Sequence, residues 1–256
     1  LGAGCPPVSL RKDPVVSSIT SSAQGGILKQ GPWQSVGVGI ERNSVRFATT
    51  TGAEIIIYRF QPNLFEFSFD ATTSVKRISE WKDGLPNTVL AMNGVYFHDD
   101  DLPSGFLVHR GERIGTRQFD LDKSGLIDVS SGRVKILQLA TSTKLTGFKE
   151  AAQSYPFLVQ DGISSIKTDS GKSARRTFIG LDREGRVYVG ILPYAQLSLF
   201  ELARLLTELP IVWDRVLNMD GGPSTGMAIS TGSFSEVIDS YVAVPNIMLV
   251  RRKEVR

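Results

Sequence analysis

At 256 residues and 28.0 kDa, with 41% hydrophobic and 21% charged residues, the chain can bury a sizeable core without disulfides or metal staples. Its net charge of +3 and pI near 9.0 arise from a mild excess of basic residues with no long run of like charge; this argues against a nucleic-acid partner and suits a small anionic ligand. The single cysteine, Cys5, excludes an intrachain disulfide and a cysteine-based zinc site, and no apolar run is long enough to span a membrane.

The opening Leu1-Gly2-Ala3-Gly4-Cys5 lacks an initial Met and places small residues before a lone cysteine. That pattern resembles the end of a bacterial lipoprotein signal, so the expectation is an exported protein, periplasmic or held at a membrane by a lipid on Cys5. Residues 1–31 are rich in Ser, Pro and Gly and read as a tether, with the folded domain over residues 32–256.

Strands begin after Trp33. Val36, Val38 and Ile40 alternate with glycines, Glu54 to Phe60 holds three consecutive isoleucines, and Leu64 to Asp70 alternates around three phenylalanines. Turn residues at Asn43-Ser44, Thr51-Gly52 and Gln61-Pro62-Asn63 make this an antiparallel meander. A helix is predicted over Thr73–Lys82, where Val75, Ile78 and Trp81 share a face and Gly84 ends the run. Thr88 to Phe97 reads as a buried strand interrupted by Asn93-Gly94. Further strands are predicted at Gly105–Arg110, Arg133–Leu139, Pro156–Gln160, Arg176–Asp182, Arg186–Leu192 and Tyr241–Val250.

The second helix has the clearest local signature. Ser198 with Glu201 three residues on forms a capping box, leucines from Leu199 to Leu209 build the apolar face, and Pro210 stops it. The expected fold is therefore α+β: a mixed, mostly antiparallel β-sheet with two main helices packed on it.

That helix feeds Val216-Leu217-Asn218-Met219-Asp220-Gly221-Gly222-Pro223-Ser224-Thr225-Gly226, the stretch with the most chemistry. In a strand, Asn218 and Asp220 share one face while Leu217 and Met219 share the other. Polar side chains at the end of a buried strand must be hydrogen-bonded or used. The glycine pair turns the backbone tightly and brings its N–H groups forward. Either Asp220 caps a turn or it belongs to a site.

Three other motifs carry less. Gly222-Pro223-Ser224-Thr225-Gly226 fits G-x-S-x-G, but no helical pattern follows and both histidines, His98 and His109, precede it. Gly171-Lys172-Ser173 lacks the first glycine and leading strand of a phosphate loop, although Lys172, Arg175 and Arg176 concentrate positive charge there. His98-Asp99-Asp100-Asp101 lacks the alternating spacing of a calcium loop.

Asn93-Gly94-Val95-Tyr96-Phe97, Arg176-Thr177-Phe178-Ile179-Gly180 and Asn218-Met219-Asp220-Gly221-Gly222-Pro223-Ser224, in that order and with a helix before the last, resemble the phosphodiester glycosidase (uncovering-enzyme-like) family. Tyr155 to Gly162 is similar to the family's hairpin before the arginine, and the likeness runs from about Val89 to Val250. Two positions depart from the pattern. The third glycine is Pro223, and the family's Asp-Gly pair after the next strand is replaced by Ile191-Leu192-Pro193-Tyr194.

The resemblance implies hydrolysis of a sugar-1-phosphodiester or related glycosidic bond in envelope or extracellular carbohydrate; no cofactor and no metal site is assigned from the sequence. On that basis Asp220, Arg176 and Asn93 are the catalytic candidates: Asp220 as base, nucleophile or stabiliser of the cationic sugar carbon, Arg176 as the phosphate fork. Asn218, Gly221, Gly222, Ser224 and Thr225 are the substrate-binding candidates. The alternative is a non-catalytic envelope module that binds an anionic glycan. A further carboxylate beside Asp220 favours the enzyme, and Asp220 alone favours the binder.

Overall fold

A computed structural model describes residues 26–49, 52–115, 124–140 and 146–254. Cys5 and most of the predicted tether lie outside these residues; Ile27–Gln30 forms a strand against Ile40–Phe47. Among the described residues no helix is long and apolar enough to cross a membrane.

The chain folds into three sheets. The largest runs, in spatial order, Ile27–Gln30, Ile40–Phe47, Glu54–Phe60, Val187–Leu197, Ala174–Asp182, Trp213–Asn218, Phe157–Gln160 and Ile163–Ser164, with Gln34–Gly37 paired outside this path to Ile40–Phe47. The second runs Ser235–Ile238, Met227–Ser230, Thr88–Asn93, Val244–Arg252 and Phe65–Lys76. The third runs Lys135–Gln138, Gly125–Asp128, Ala151–Ser154, Leu107–His109 and Glu112–Arg113.

The expected α+β fold with two main helices gives way to a predominantly β one: 51% of the described residues are strand and 8% helix. Every strand pairing among the described residues is antiparallel, so the sheets are not mixed. Short turns close some of these pairs, such as Ala174–Asp182 with Val187–Leu197, while others, such as Phe65–Lys76 with Val244–Arg252, join strands from distant parts of the chain.

Burial on both faces explains the most apolar strands. Ile56 joins a core shared by the three sheets with Tyr58, Phe67, Met92 and Leu217, while Ile55 and Ile57 point into a second core under the Leu199–Thr207 helix. Leu90 and Met92 likewise face the shared core, and Ala91 between them faces the Ile78–Asp83 helix. Two such faces on a period-two strand leave no polar alternation to read.

The Leu199–Thr207 helix, here α2, starts at the predicted capping box. Ser198 Oγ accepts from the Glu201 amide at 3.1 Å, and Glu201 Oε2 accepts from the Ser198 amide at 2.8 Å. The first helix, α1, is shorter than expected and covers only Ile78–Asp83. Thr73 to Lys76 instead prolongs the Phe65–Lys76 strand, with Lys76 opposite Val244. The run Thr72-Thr73-Ser74-Val75 favours that outcome, because β-branched side chains fit a pleated surface better than a helix. Val38 also departs from expectation. The chain turns at Gly39, φ +73°, between two paired strands, and leaves Val38 74% exposed.

Candidate active site

The Ala174–Asp182 and Trp213–Asn218 strands run antiparallel with Phe178 opposite Asn218, so the start of one and the end of the other lie at the same sheet edge. Thr88–Asn93 of the second sheet ends beside them. The Met219 amide extends the pairing of the first two strands to the Thr177 carbonyl (2.9 Å), and the two sheets are stitched by the Asp220 amide to the Gly94 carbonyl (3.3 Å). Asn93, Arg176, Asn218 and Asp220 are thereby gathered at one seam.

Asn93 is fully buried and satisfied within the protein. Its Nδ2 donates to the Asp220 carbonyl at 2.6 Å, and its Oδ1 accepts from Thr177 Oγ1 at 2.8 Å and the Gly226 amide at 3.1 Å. It holds the Asp220 backbone in place, with both acceptor positions of Oδ1 and one of its two N–H groups used within the protein. Asn246, which the sequence reading passed over, does the same for the next residues. Its Oδ1 accepts from the Val95 amide at 2.7 Å and its Nδ2 donates to the Val95 carbonyl at 3.1 Å. A Cβ on Gly94 would lie 2.1 Å from Asn246 Oδ1, which is why the Asn-Gly pair is needed.

Asn218 Nδ2 is shared among Tyr96 Oη, the Tyr155 carbonyl at 3.2 Å and the Met219 carbonyl at 2.8 Å. An amide nitrogen carries two protons, so these three acceptors divide them. Asn218 Oδ1 is buried with no donor among the described residues. Tyr96 stacks at a tilt on Tyr155, centroids 4.9 Å apart. Because Tyr96 Oη accepts from Asn218, its own proton stays available. Burial, and after it the charge of Asp220, pushes the Tyr96 phenol well above its usual range, while Arg176 pulls it back. Tyr96 therefore lies within electrostatic reach of both Asp220 and Arg176. Sequence reasoning placed it inside a strand motif and gave it no role.

Asp220 is largely buried, and desolvation raises its carboxyl from 3.8 to about 6. The Ser224 hydroxyl and the Gly221 amide, the latter donating to Oδ1 at 2.8 Å, partly offset that rise. No other carboxylate contributes to the shift. Gly222 holds φ +61° and opens a short 3-10 turn, Gly222–Ser224. A strand, Met227–Ser230, follows that turn, so the G-x-S-x-G match lacks the helix a serine nucleophile requires. Thr225 is fully buried and its hydroxyl has no partner, which removes it from direct reach of solvent.

Arg176 donates from Nε to the Leu197 carbonyl at 2.9 Å and from Nη2 to the Lys172 carbonyl at 2.7 Å. Burial lowers its pKa, and no carboxylate among the described residues pairs with it. It and Asp220 are charges of opposite sign that share Tyr96 as a neighbour without neutralising each other. In place of the family's Asp-Gly, Leu192 is buried and the Pro193 carbonyl accepts from Arg175 Nε at 2.6 Å. Among the described residues no cluster of His, Cys, Asp and Glu is arranged to hold a metal ion.

Comparison with known proteins places this geometry. No curated protein matches the chain in sequence. The catalytic domain of zebrafish N-acetylglucosamine-1-phosphodiester alpha-N-acetylglucosaminidase, auto-inhibited by its pro-peptide, is similar in structure, with a TM-score of 0.66, 13% identity and 88% of each chain covered. A hypothetical protein from Synechocystis is similar with a TM-score of 0.59 and 14% identity, over 87% of this chain and 64% of that one. A protein from Burkholderia pseudomallei K96243 aligns with a TM-score of 0.54 and 10% identity over 82% and 77% of the two chains. At these identities the likeness speaks for the fold. The family itself rests on the model of the phosphodiester glycosidase domain, which matches residues 86–251 and so spans every strand that meets at the seam: the chain belongs to the phosphodiester glycosidase family.

Proposed function

We propose that the chain is a hydrolase that cleaves a sugar-1-phosphodiester, or a related glycosidic bond in envelope or extracellular carbohydrate, at the seam around Asp220. The observation that carries this reading is the meeting at one seam of a carboxyl that burial raises to about 6 and an arginine that no described carboxylate pairs with, each acting on Tyr96. Perturbed, unpaired charges held close together are costly to keep unless chemistry uses them.

In this reaction the oxygen of water bonds to the anomeric carbon while the bond from that carbon to the phosphate oxygen breaks. The electron pair leaves with the phosphate monoester, and the water proton passes to ionised Asp220. Arg176 offers a planar fork to the phosphate, and Tyr96 donates its free proton to an oxygen of the same group. A phosphate monoester is a stable anion, so the leaving group needs charge neutralisation more than protonation. This chemistry needs one carboxylate rather than the usual two. Asn93 and Asn218 hold Asp220 and Tyr96 in register, with Gly221 and Ser224 orienting the carboxylate.

One observation favours a second reading, a module that binds an anionic glycan without cleaving it: no second carboxylate acts on Asp220. A single assay separates the two. Wild type, Asp220→Asn and Arg176→Lys are incubated with a sugar-1-phosphodiester and an uncharged aryl glycoside, with thermal melts as the folding control. Release of phosphate monoester by wild type, lost in Asp220→Asn, supports the hydrolase. Saturable binding of the diester without turnover supports the binder, and full activity in Asp220→Asn removes Asp220 from the chemistry.

A further inference from the structure

Arg175, the neighbour of Arg176, is only 5% exposed. Its Nε donates to the Pro193 carbonyl at 2.6 Å and its Nη2 to the Asp239 carbonyl at 3.4 Å. Nη1 is buried with no partner at all. No carboxylate among the described residues pairs with the guanidinium, and burial lowers its pKa. A buried guanidinium with carbonyls on two nitrogens and nothing on the third is incomplete as a structural element. A long apolar side chain would fill the same space without the desolvation penalty.

Two exposed tyrosines stand beside it. The ring of Tyr241 lies over the guanidinium, with Cζ 4.0 Å from the ring centroid, yet Tyr241 is 64% exposed. Tyr194, at 78% exposed, lies close enough to influence Arg175, and it stands where the family pattern has its Asp-Gly pair. The cluster adjoins the Asp220 turn directly. A Cβ on Gly221 would meet the Arg175 carbonyl at 2.8 Å, and the Tyr241 amide donates to the Pro223 carbonyl at 2.8 Å.

The geometry points to Arg175, roofed by Tyr241 and flanked by Tyr194, as a second anion subsite beside the Asp220 turn, taking an oxyanion (phosphate or carboxylate) carried on the leaving-group side of the substrate. This rests on the proposed function for its place in the reaction, although the binding step stands apart from turnover. The exposed Tyr241 ring turns aside, and the incoming oxyanion takes the two protons of Nη1 that nothing in the protein accepts. The two tyrosine faces then pack against whatever carries the anion.

The test follows the Arg175 Nε–H signal by NMR in full-length Arg176→Lys protein, so that binding at the neighbouring arginine does not interfere. Inorganic phosphate and acetate are titrated separately against a chloride control. The expected result is a saturable shift with one or both, which also distinguishes a phosphate from a carboxylate site. Tyr241→Ala, which removes the roof, should tighten the apparent Kd by about threefold or more. A shift no larger than that in chloride for both anions overturns the subsite, whether or not the protein hydrolyses anything.

The kinetic arm compares leaving groups with and without a second anionic group. Arg175→Met should raise KM for the anionic one at least about tenfold more than for the neutral one, and Arg175→Lys should recover part of the difference. Equal changes for both substrates, or a lowered melting temperature with no change in preference, reduce Arg175 to a structural residue. Absence of turnover on any substrate, together with a saturable Arg175 shift, would count against the hydrolase and leave the anion subsite standing.

Discussion

Two sets of polar side chains meet at the seam between the first and second sheets, and they are used in opposite ways. Asn93 and Asn246 spend both ends of their amides on protein partners, chiefly the backbone of Asp220, Val95 and Gly226. Arg175 is buried and Asp220 and Arg176 are half-buried, and the three have fewer partners than their charge calls for. The first set is a frame whose energy is fully internal. The second holds electrostatic capacity that the frame keeps in place. Burial alone does not separate them, whereas the count of satisfied donors and acceptors does.

The largest expected effect breaks the comparison on the active side. Asp220→Asn should lower kcat/KM on a sugar-1-phosphodiester by about a thousandfold. It should leave the fold intact and raise the melting temperature at pH 7.5, because a buried charge has been removed. A lowered melting temperature with retained turnover would move Asp220 into the frame.

Next comes Asn93→Ala, on the frame side. It strands the Asp220 carbonyl, the Thr177 hydroxyl and the Gly226 amide, so stability should fall by about 3 kcal/mol, read from urea denaturation. Activity should fall with it. An unchanged midpoint with lost activity would make Asn93 a substrate ligand instead.

A pH series sharpens the same contrast. The Asp220 carboxyl binds its proton more tightly folded, near 6, than at its ordinary 3.8, so the unfolded chain binds fewer protons between these values. Asp220 therefore withdraws stability as pH rises from about 4 to 6, by up to about 3 kcal/mol, and holds that deficit above. Comparing urea unfolding of wild type and Asp220→Asn across this window isolates the term. Parallel curves would show that Asp220 is not desolvated. The smallest effect is Arg176→Lys, which keeps the charge and loses the fork. Turnover of a phosphodiester should drop by about tenfold, and that of a neutral aryl glycoside by less.

How much of this was legible in the sequence depended on the range of the interactions. The Ser198–Glu201 capping box is local and was read directly, as was the strand that carries the three isoleucines at 55–57. The first helix was read in part: Ile78 and Trp81 do face inward and Gly84 does end it, but its predicted start belongs to the Phe65–Lys76 strand, which is fixed by pairing with Val244–Arg252 at the far end of the chain. The polar stretch around Asp220 stood out because apolar strands rarely end in Asn-x-Asp-Gly-Gly. Arg175, Tyr96, Thr177 and Asn246 gave no such signal. Their meaning comes from partners such as Pro193, Asn218, Asn93 and Val95, which only the folded sheets bring within reach.

The central claim, that ionised Asp220 does the chemistry, is tested most directly by kcat/KM for a sugar-1-phosphodiester measured from pH 4 to 8. The account predicts a rate that falls on the acid side with an apparent pKa near 6, the value to which burial raises the Asp220 carboxyl. A rate that stays flat down to pH 4.5, or that climbs as the carboxyl takes up its proton, would contradict it.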